Sequence, residues 1–222
     1  MNITVFPSGM LQVNTLFVPL ASSAGAESSS PAPVVVVDPG GGECVKELAR
    51  LNMIPKAVAL THGHFDHVLG LGAIHKAFPS IPIAIHPADS GLFGPEMSEQ
   101  TRARLIGLGL GRDMVRELNE LPAANIAFSE GMTLEFAPAW RVMYTPGHTQ
   151  GSVCLYNADE RALISGDTMF EGTWGRTDLP GGNDADILDS LRRLFKELPG
   201  ETKVYPGHEG WGFTLAQNKL PV

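Results

Sequence analysis

Four consecutive valines, residues 34–37, lie directly before Asp38-Pro39-Gly40. A strand that is apolar on both faces must be covered on both faces, so this run predicts a strand inside a layered α/β structure. Further short apolar runs occur at residues 57–61, 81–85, 140–144, 152–156, 162–165 and 203–205, and a one-sided 3.6-residue apolar pattern at 184–198 predicts a helix. Strands that alternate with helices predict the α/β class, and the length suits a single domain over residues 1–222.

Two segments depart from this alternation. Residues 22–33 are rich in Ser, Ala and Pro, which predicts an exposed hairpin loop. Residues 91–121 are helix-prone, and glycines at 107, 109 and 111 interrupt them. These glycines follow no predicted strand, so they indicate a helix break and not a dinucleotide-binding motif. We interpret residues 91–121 as a possible helical lid or insertion within the domain.

The charge balance limits the classes of partner. The formal net charge is −8 with no run of Lys or Arg, which argues against a nucleic-acid partner. No segment has the length of a transmembrane helix, and the first 20 residues lack the basic start of a secretory signal. Cys44 and Cys154 lie in apolar surroundings and are interpreted as buried thiols, with a disulfide left open. We expect a cytoplasmic protein without a membrane partner, and the oligomeric state is unknown.

The strongest signal for chemistry is a cluster of histidines after the apolar run 57–61. Three histidines and one aspartate occur within residues 62–67, and imidazoles and carboxylates are the usual ligands of zinc, iron and manganese. Three more polar residues each follow a short apolar run at a glycine turn, which is where α/β enzymes assemble their sites. Any one of them alone would more often be structural, but packing hardly explains the whole set. The predicted metal ligands are His62, His64, Asp66, His67, His148, Asp167 and His208. The remaining histidines, His75 and His86, match no ligand pattern and are interpreted as surface or core residues.

The order of these motifs resembles the metallo-β-lactamase fold. Residues 61–67, Thr-His-Gly-His-Phe-Asp-His, resemble its H-x-H-x-D-H signature, and residues 145–149, 165–168 and 205–208 resemble its later ligand motifs. The resemblance runs from about Val34 to His208 and implies a four-layer αββα sandwich of two mixed sheets flanked by helices, with the site at one edge of the sheets. It further implies a first metal at His62, His64 and His148 and a second metal at Asp66, His67 and His208. Asp167 would bridge both metals.

This ligand pattern resembles glyoxalase II more than the antibiotic-degrading β-lactamases, which use a Cys in place of the bridging Asp. The resemblance implies hydrolysis of a hydroxyacyl-glutathione-like thioester by a hydroxide formed between two divalent ions, with Asp66 as the catalytic residue that orients it. Zinc is the expected metal, with iron or manganese as alternatives. Two departures leave glutathione specificity open. The Lys and Tyr expected after the bridging Asp are absent from residues 168–174. Only 14 residues follow His208, whereas glyoxalase II has a C-terminal helical domain that helps hold glutathione.

A second resemblance concerns residues 175–182, which are similar to a loop of compact glyoxalase II-like proteins and of persulfide dioxygenases. Arg176 in this loop either anchors a substrate carboxylate through paired hydrogen bonds or pairs locally with Asp178. The loop also supports an alternative function, a persulfide dioxygenase with one iron held by His62, His64 and His148. Hydrolysis of another ester, a lactone or a phosphodiester is a further alternative.

Overall fold

The computed structural model describes residues 2–20 and 30–221. Most of the predicted loop at 22–33 lies outside the described residues, and its last two residues, Ala32 and Pro33, already belong to a strand. The chain divides into two compact units, Met1–Ala127 and Phe128–Val222. Each unit contains one mixed β-sheet with helices. The predicted α/β class with two mixed sheets is therefore confirmed, whereas the single domain stays a prediction.

Among the described residues of the first unit, six strands form one sheet, and the four consecutive valines belong to its third strand. Its strands, in spatial order, are β1 (Thr4–Ser8), β2 (Val13–Pro19), β3 (Ala32–Val37), β4 (Met53–Ala59), β5 (Ile83–Ile85) and β6 (Ile126–Ala127). Strands β1 to β3 pair antiparallel, and β3 to β6 pair parallel. The four valines of β3 are at most 2% exposed. Burial on both faces confirms the prediction drawn from their unbroken apolar run.

Short helices complete the first unit. They are α1 (Cys44–Arg50), α2 (Phe65–Val68), α3 (Leu71–Ala77), α4 (Glu99–Gly107), α5 (Arg112–Glu120) and two 3₁₀ helices, Pro87–Leu92 and Gly94–Glu96. Gly70 lies between α2 and α3, where its N–H donates to the carbonyl oxygen of Pro39 at 2.8 Å. A Cβ on Gly70 would lie only 2.7 Å from that oxygen, so the chain packs closely here. The predicted break after Gly107 is confirmed, but a lid role for residues 91–121 stays a prediction.

Among the described residues of the second unit, 128–221, five strands form one sheet and one long helix accompanies it. In spatial order the strands are β11 (Lys203–Pro206), β10 (Ala162–Gly166), β9 (Val153–Asn157), β8 (Ala137–Tyr144) and β7 (Thr133–Leu134), and the helix is α6 (Asp184–Glu197). Only the β10–β11 pair is parallel. Asn183 caps α6, because its side-chain oxygen accepts from the N–H groups of Ala185 and Asp186. Ile187 and Leu191 of α6 are buried in a core that includes residues of the sheet.

Both cysteines are free and buried, which agrees with their interpretation as buried thiols. Burial raises the pKa of the Cys44 thiol to about 12 and that of the Cys154 thiol to about 11. Both side chains therefore stay protonated at neutral pH and behave as small core residues. Within residues 2–20 and 30–221, no helix is both long enough and apolar enough to cross a membrane.

Candidate metal centre

Four predicted ligands lie together in the first unit, just beyond the end of β4. His62 and His64 are in the loop after this strand, and Asp66 and His67 are in α2. The imidazole centroid of His62 lies 4.8 Å from that of His64 and 4.1 Å from that of His67. Asp66 Oδ2 lies 3.7 Å from His67 Nε2. The end of one strand and one turn of helix thus gather the four side chains of the H-x-H-x-D-H motif.

A buried carboxylate that was not among the predicted site residues orients two of these imidazoles. Asp38 follows β3 and is 2% exposed. Its Oδ1 accepts from the Thr61 N–H at 2.8 Å, and its Oδ2 accepts from the Thr61 hydroxyl at 2.6 Å. The same Oδ2 lies 3.0 Å from His67 Nδ1. A carboxylate only accepts, so Nδ1 of His67 carries the proton and Nε2 carries the lone pair that can bind a metal.

The Thr61 hydroxyl determines which ring nitrogen of His62 carries the proton. The single proton of this hydroxyl is donated to Asp38, so its oxygen accepts from His62 Nδ1, 3.1 Å away. Nε2 of His62 therefore also carries the lone pair. Asp38, His62 and His67 offer ligand atoms within 4.8 Å of one another. The Asp38 oxygens, however, already accept three hydrogen bonds, so we assign Asp38 to orientation and not to metal binding.

The second unit contains the other three predicted ligands, each just beyond a strand end. His148 follows β8, Asp167 follows β10 and His208 follows β11. Asp167 Oδ2 lies 3.5 Å from His148 Nε2 and 3.8 Å from His208 Nε2. These distances are too long for good hydrogen bonds. Two ligand atoms that each lie about 2.1 Å from one tetrahedral zinc ion are separated by about 3.4 Å, so this set of donors fits metal ligation. A single carboxylate oxygen facing two imidazoles also suits a bridging ligand.

The loop after Asp167 orients His148 through its backbone. His148 Nδ1 donates to the carbonyl oxygen of Arg176 at 2.7 Å, which leaves the lone pair on Nε2. The N–H of Gly175 donates to the carbonyl oxygen of Asp167 at 3.0 Å. A Cβ on Gly175 would lie 2.1 Å from that oxygen and 2.8 Å from His148 Nδ1. Only glycine allows this approach, so residues 175 and 176 support two ligands without their side chains.

The side chain of Arg176 is engaged within its own loop. Its Nε and one terminal nitrogen donate to the two carboxylate oxygens of Asp178, each at 2.7 Å, and both side chains are exposed. The hydrogen bonds from Arg176 hold the pKa of Asp178 at about 2, well below its usual value. The local pair that the sequence left open is therefore present. Substrate binding by Arg176 stays a prediction.

A turn at residues 170–173, inside the segment that departs from glyoxalase II, packs beside His208. The ring centroid of Phe170 lies 6.3 Å from that of His208 in an edge-to-face arrangement. The buried amide of Asn218 donates to the Phe170 carbonyl at 2.9 Å and accepts from the Gly172 N–H at 2.8 Å. These two hydrogen bonds of Asn218 were not predicted from the sequence, because Asn218 is 46 residues from Gly172 and belongs to no motif.

The two histidines set aside by the sequence have other roles. His75 is exposed on α3. His86 precedes the 3₁₀ helix Pro87–Leu92, and its Nδ1 accepts from the Ala88 N–H at 3.3 Å. Burial lowers the pKa of His86, and the nearby Asp89 opposes that shift. A surface position for His75 agrees with its interpretation from the sequence, and the interpretation of His86 stays a prediction.

Comparison with known proteins places this arrangement in a family. The model of the metallo-beta-lactamase superfamily matches residues 29–208. The probable metallo-hydrolase YqgX of Bacillus subtilis is 32% identical over 91% of this chain and 87% of its own length. A hydroxyacylglutathione hydrolase of Hamiltonella defensa is 31% identical over 84% of this chain, which spans 60% of that longer protein.

Two solved structures are similar over almost their whole length. TTHA1623, solved in a di-iron-bound form, has a TM-score of 0.77 and 32% identity, covering 96% of both chains. The B3 metallo-beta-lactamase BLEG-1 has a TM-score of 0.79 and 30% identity, covering 97% of this chain and 95% of its own. The matched residues include every predicted metal ligand. This chain belongs to the metallo-beta-lactamase superfamily.

Proposed function

We propose that this chain is a dinuclear metal hydrolase that cleaves a hydroxyacyl thioester of glutathione or of a similar thiol. The observation that carries the proposal is the carboxylate of Asp167, since one of its oxygens faces Nε2 of both His148 and His208. A carboxylate in this position suits a ligand shared by two ions. Membership in a superfamily with metallo-hydrolase relatives supports the same chemistry.

The proposed ligand sets follow the superfamily motifs. His62, His64 and His148 would hold one ion, Asp66, His67 and His208 would hold the other, and Asp167 would contact both. Three of these histidines have Nδ1 bound to a hydroxyl, a carboxylate or a carbonyl oxygen, which orients Nε2 as the ligand atom. We propose zinc as the metal. The di-iron form of TTHA1623 makes iron a second candidate.

The chemistry divides between the ions and the side chains. Divalent ions at this site would supply a water activated near neutral pH and would stabilise negative charge on the substrate carbonyl oxygen. Asp66 is only 8% exposed, and its carboxylate would orient the attacking water as a hydrogen-bond acceptor. A thiol has a pKa near 8.5, so it leaves as a thiolate without a strong acid. No further proton donor is therefore required from the chain.

The thiol part of the substrate is the least constrained element of the proposal. The similarity to a hydroxyacylglutathione hydrolase favours glutathione. Segment 168–174, however, lacks the Lys and Tyr of the glyoxalase II pattern. If Arg176 anchors a substrate carboxylate, that carboxylate must displace Asp178 from the guanidinium.

The first experiment measures bound metal and thioester cleavage on the same purified protein. Wild type, Asp66→Ala and His75→Ala would be assayed on S-lactoylglutathione with and without oxygen. His75→Ala is the matched control, because this histidine is exposed on α3 outside the ligand motifs. About two ions per chain and oxygen-independent cleavage that falls at least 100-fold only in Asp66→Ala would support the proposal.

Three other outcomes would overturn the proposal. About one iron per chain, no thioester cleavage and oxygen uptake with glutathione persulfide would assign the alternative dioxygenase. Faster turnover of a β-lactam than of any thioester would assign an activity like that of BLEG-1. Bound metal without turnover of any ester, lactone, phosphodiester, thioester or persulfide would indicate a non-catalytic protein.

A further inference from the structure

The loop that carries His62 and His64 is held by a second buried carboxylate. Asp89 lies in the 3₁₀ helix Pro87–Leu92 and is only 1% exposed. Its Oδ2 accepts from the N–H of Gly63 at 2.9 Å. Gly63 is the single residue between the two histidines, so this hydrogen bond acts at the centre of the ligand motif.

Close packing reinforces this hydrogen bond. A Cβ on Gly63 would lie 2.9 Å from the Asp89 carbonyl oxygen and 3.0 Å from Leu92 Cδ1. The 3₁₀ helix therefore lies directly against the loop, and only glycine fits at this position. Contact and hydrogen bond come from the same element, so a shift of the 3₁₀ helix would move the loop with it.

The backbone N–H groups of Thr61 and Gly63, two residues apart in the loop, are thus each bound by a carboxylate from a different part of the chain. The Thr61 N–H donates to Asp38, which follows β3, and the Gly63 N–H donates to Asp89. Hydrogen bonds from backbone N–H groups to carboxylates are charge-assisted and stronger than neutral ones. The two anchors flank His62, and the second one fixes the peptide group that joins His62 to Gly63. The directions of both imidazoles depend on this backbone.

We propose that Asp89 is a positioning residue for the metal ligands His62 and His64. It acts through the Gly63 amide and not by binding the ion. The inference rests on the proposed metal-binding role of these two histidines, but it does not depend on which substrate is cleaved. Asp89 also joins the ligand loop to the helical region that continues into residues 91–121.

The test uses the full-length protein and does not require turnover. Asp89→Ala removes the acceptor, Asp89→Asn keeps an amide oxygen that can still accept, and Ser90→Ala is the matched control. Ser90 is in the same 3₁₀ helix, where its hydroxyl donates to the Pro87 carbonyl at 3.1 Å. Hydrogen exchange at the Gly63 amide would be measured by NMR on metal-free protein, and zinc affinity by competition with a chelator. If Asp89→Ala does not fold, Asp89→Ser removes the same acceptor with a polar side chain.

We expect Asp89→Ala to speed hydrogen exchange at the Gly63 amide at least tenfold. It should also lower the affinity for the zinc ion at His62 and His64 about 10- to 100-fold, as loss of an orienting partner commonly does. Asp89→Asn should stay within about threefold of wild type, and Ser90→Ala should not change. Wild-type exchange and affinity in Asp89→Ala would overturn the inference. Equal losses in Asp89→Asn, or the same loss in Ser90→Ala, would overturn it as well. A wild type that binds zinc but cleaves no thioester would refute only the proposed hydrolase activity.

Discussion

Replacing Gly175 by alanine should weaken metal binding, although residue 175 is not one of the proposed ligands. The added Cβ would lie 2.1 Å from the Asp167 carbonyl oxygen, whereas ordinary contacts begin near 3.4 Å. The loop must therefore retreat by about 1.3 Å, the difference of these two distances. That movement breaks the hydrogen bonds from Gly175 to Asp167 and from His148 to Arg176, each worth about 1 kcal/mol net. It also exceeds the tolerance of about 0.2 Å for metal–ligand distances.

We expect Gly175→Ala to weaken zinc binding by at least about 100-fold, which corresponds to about 2.7 kcal/mol. Chelator competition on metal-depleted protein would measure the affinity, and thermal unfolding would show that the fold remains. The matched control is Gly107→Ala at the end of α4, where a Cβ has no neighbour within 4 Å. Zinc affinity within threefold of wild type in Gly175→Ala would refute the reasoning, because the loop would then tolerate a Cβ without moving the ligands.

Three further predictions follow from other parts of the structure. Asp38→Asn should lower the affinity for the ion proposed to bind His67 about 10- to 100-fold, measured by chelator competition. It should also lower the free energy of unfolding of the metal-free protein by roughly 1–3 kcal/mol, measured by urea denaturation. The free energy of unfolding should fall as the pH rises above about 9. Thiols in the unfolded chain lose their protons near pH 9.0, whereas burial keeps Cys154 protonated up to about 11 and Cys44 up to about 12. Urea denaturation of Cys154→Ala should show a smaller decline, and an unchanged decline would contradict this origin. Arg176→Ala should raise KM for S-lactoylglutathione about threefold or more at similar kcat, and Asp178→Ala should lower KM. If both variants have the KM of wild type, the ion pair only stabilises the loop and does not bind substrate.

The regular elements were predictable because their signals are local. The valines of β3 and the one-sided apolar pattern of α6 each predict an element from about five to fifteen neighbouring residues. The boundary between α2 and α3 was not predictable in this way, since Gly70 packs there against the carbonyl oxygen of Pro39, about thirty residues earlier. A periodic pattern contains no information about such a distant contact.

The candidate ligands were predictable for a related reason, and their supports were not. Each ligand follows a strand end, so spacing and residue type are visible in the sequence. Asp38, Asp89 and Asn218 hold groups that are 23, 26 and 46 residues away in the chain. None of the three was predicted as a site residue. For Asp38 a signal existed, because a carboxylate directly after four buried valines needs hydrogen-bond partners if it is buried with them. The cytoplasmic location stays a prediction.

The orienting partners differ in chemistry, and that difference has consequences for the ions. Nδ1 of His62 donates to a hydroxyl, that of His67 to a carboxylate and that of His148 to a carbonyl oxygen. A carboxylate partner raises the basicity of the opposite nitrogen more than a neutral acceptor does. The imidazole of His67 should therefore be the most firmly oriented of these three, because its hydrogen bond is charge-assisted. If the proposed ligand sets are right, the ion at Asp66, His67 and His208 would have two carboxylate ligands, Asp66 and Asp167. The ion at His62, His64 and His148 would have only Asp167. Differences of this kind would give the two proposed ions unequal affinities.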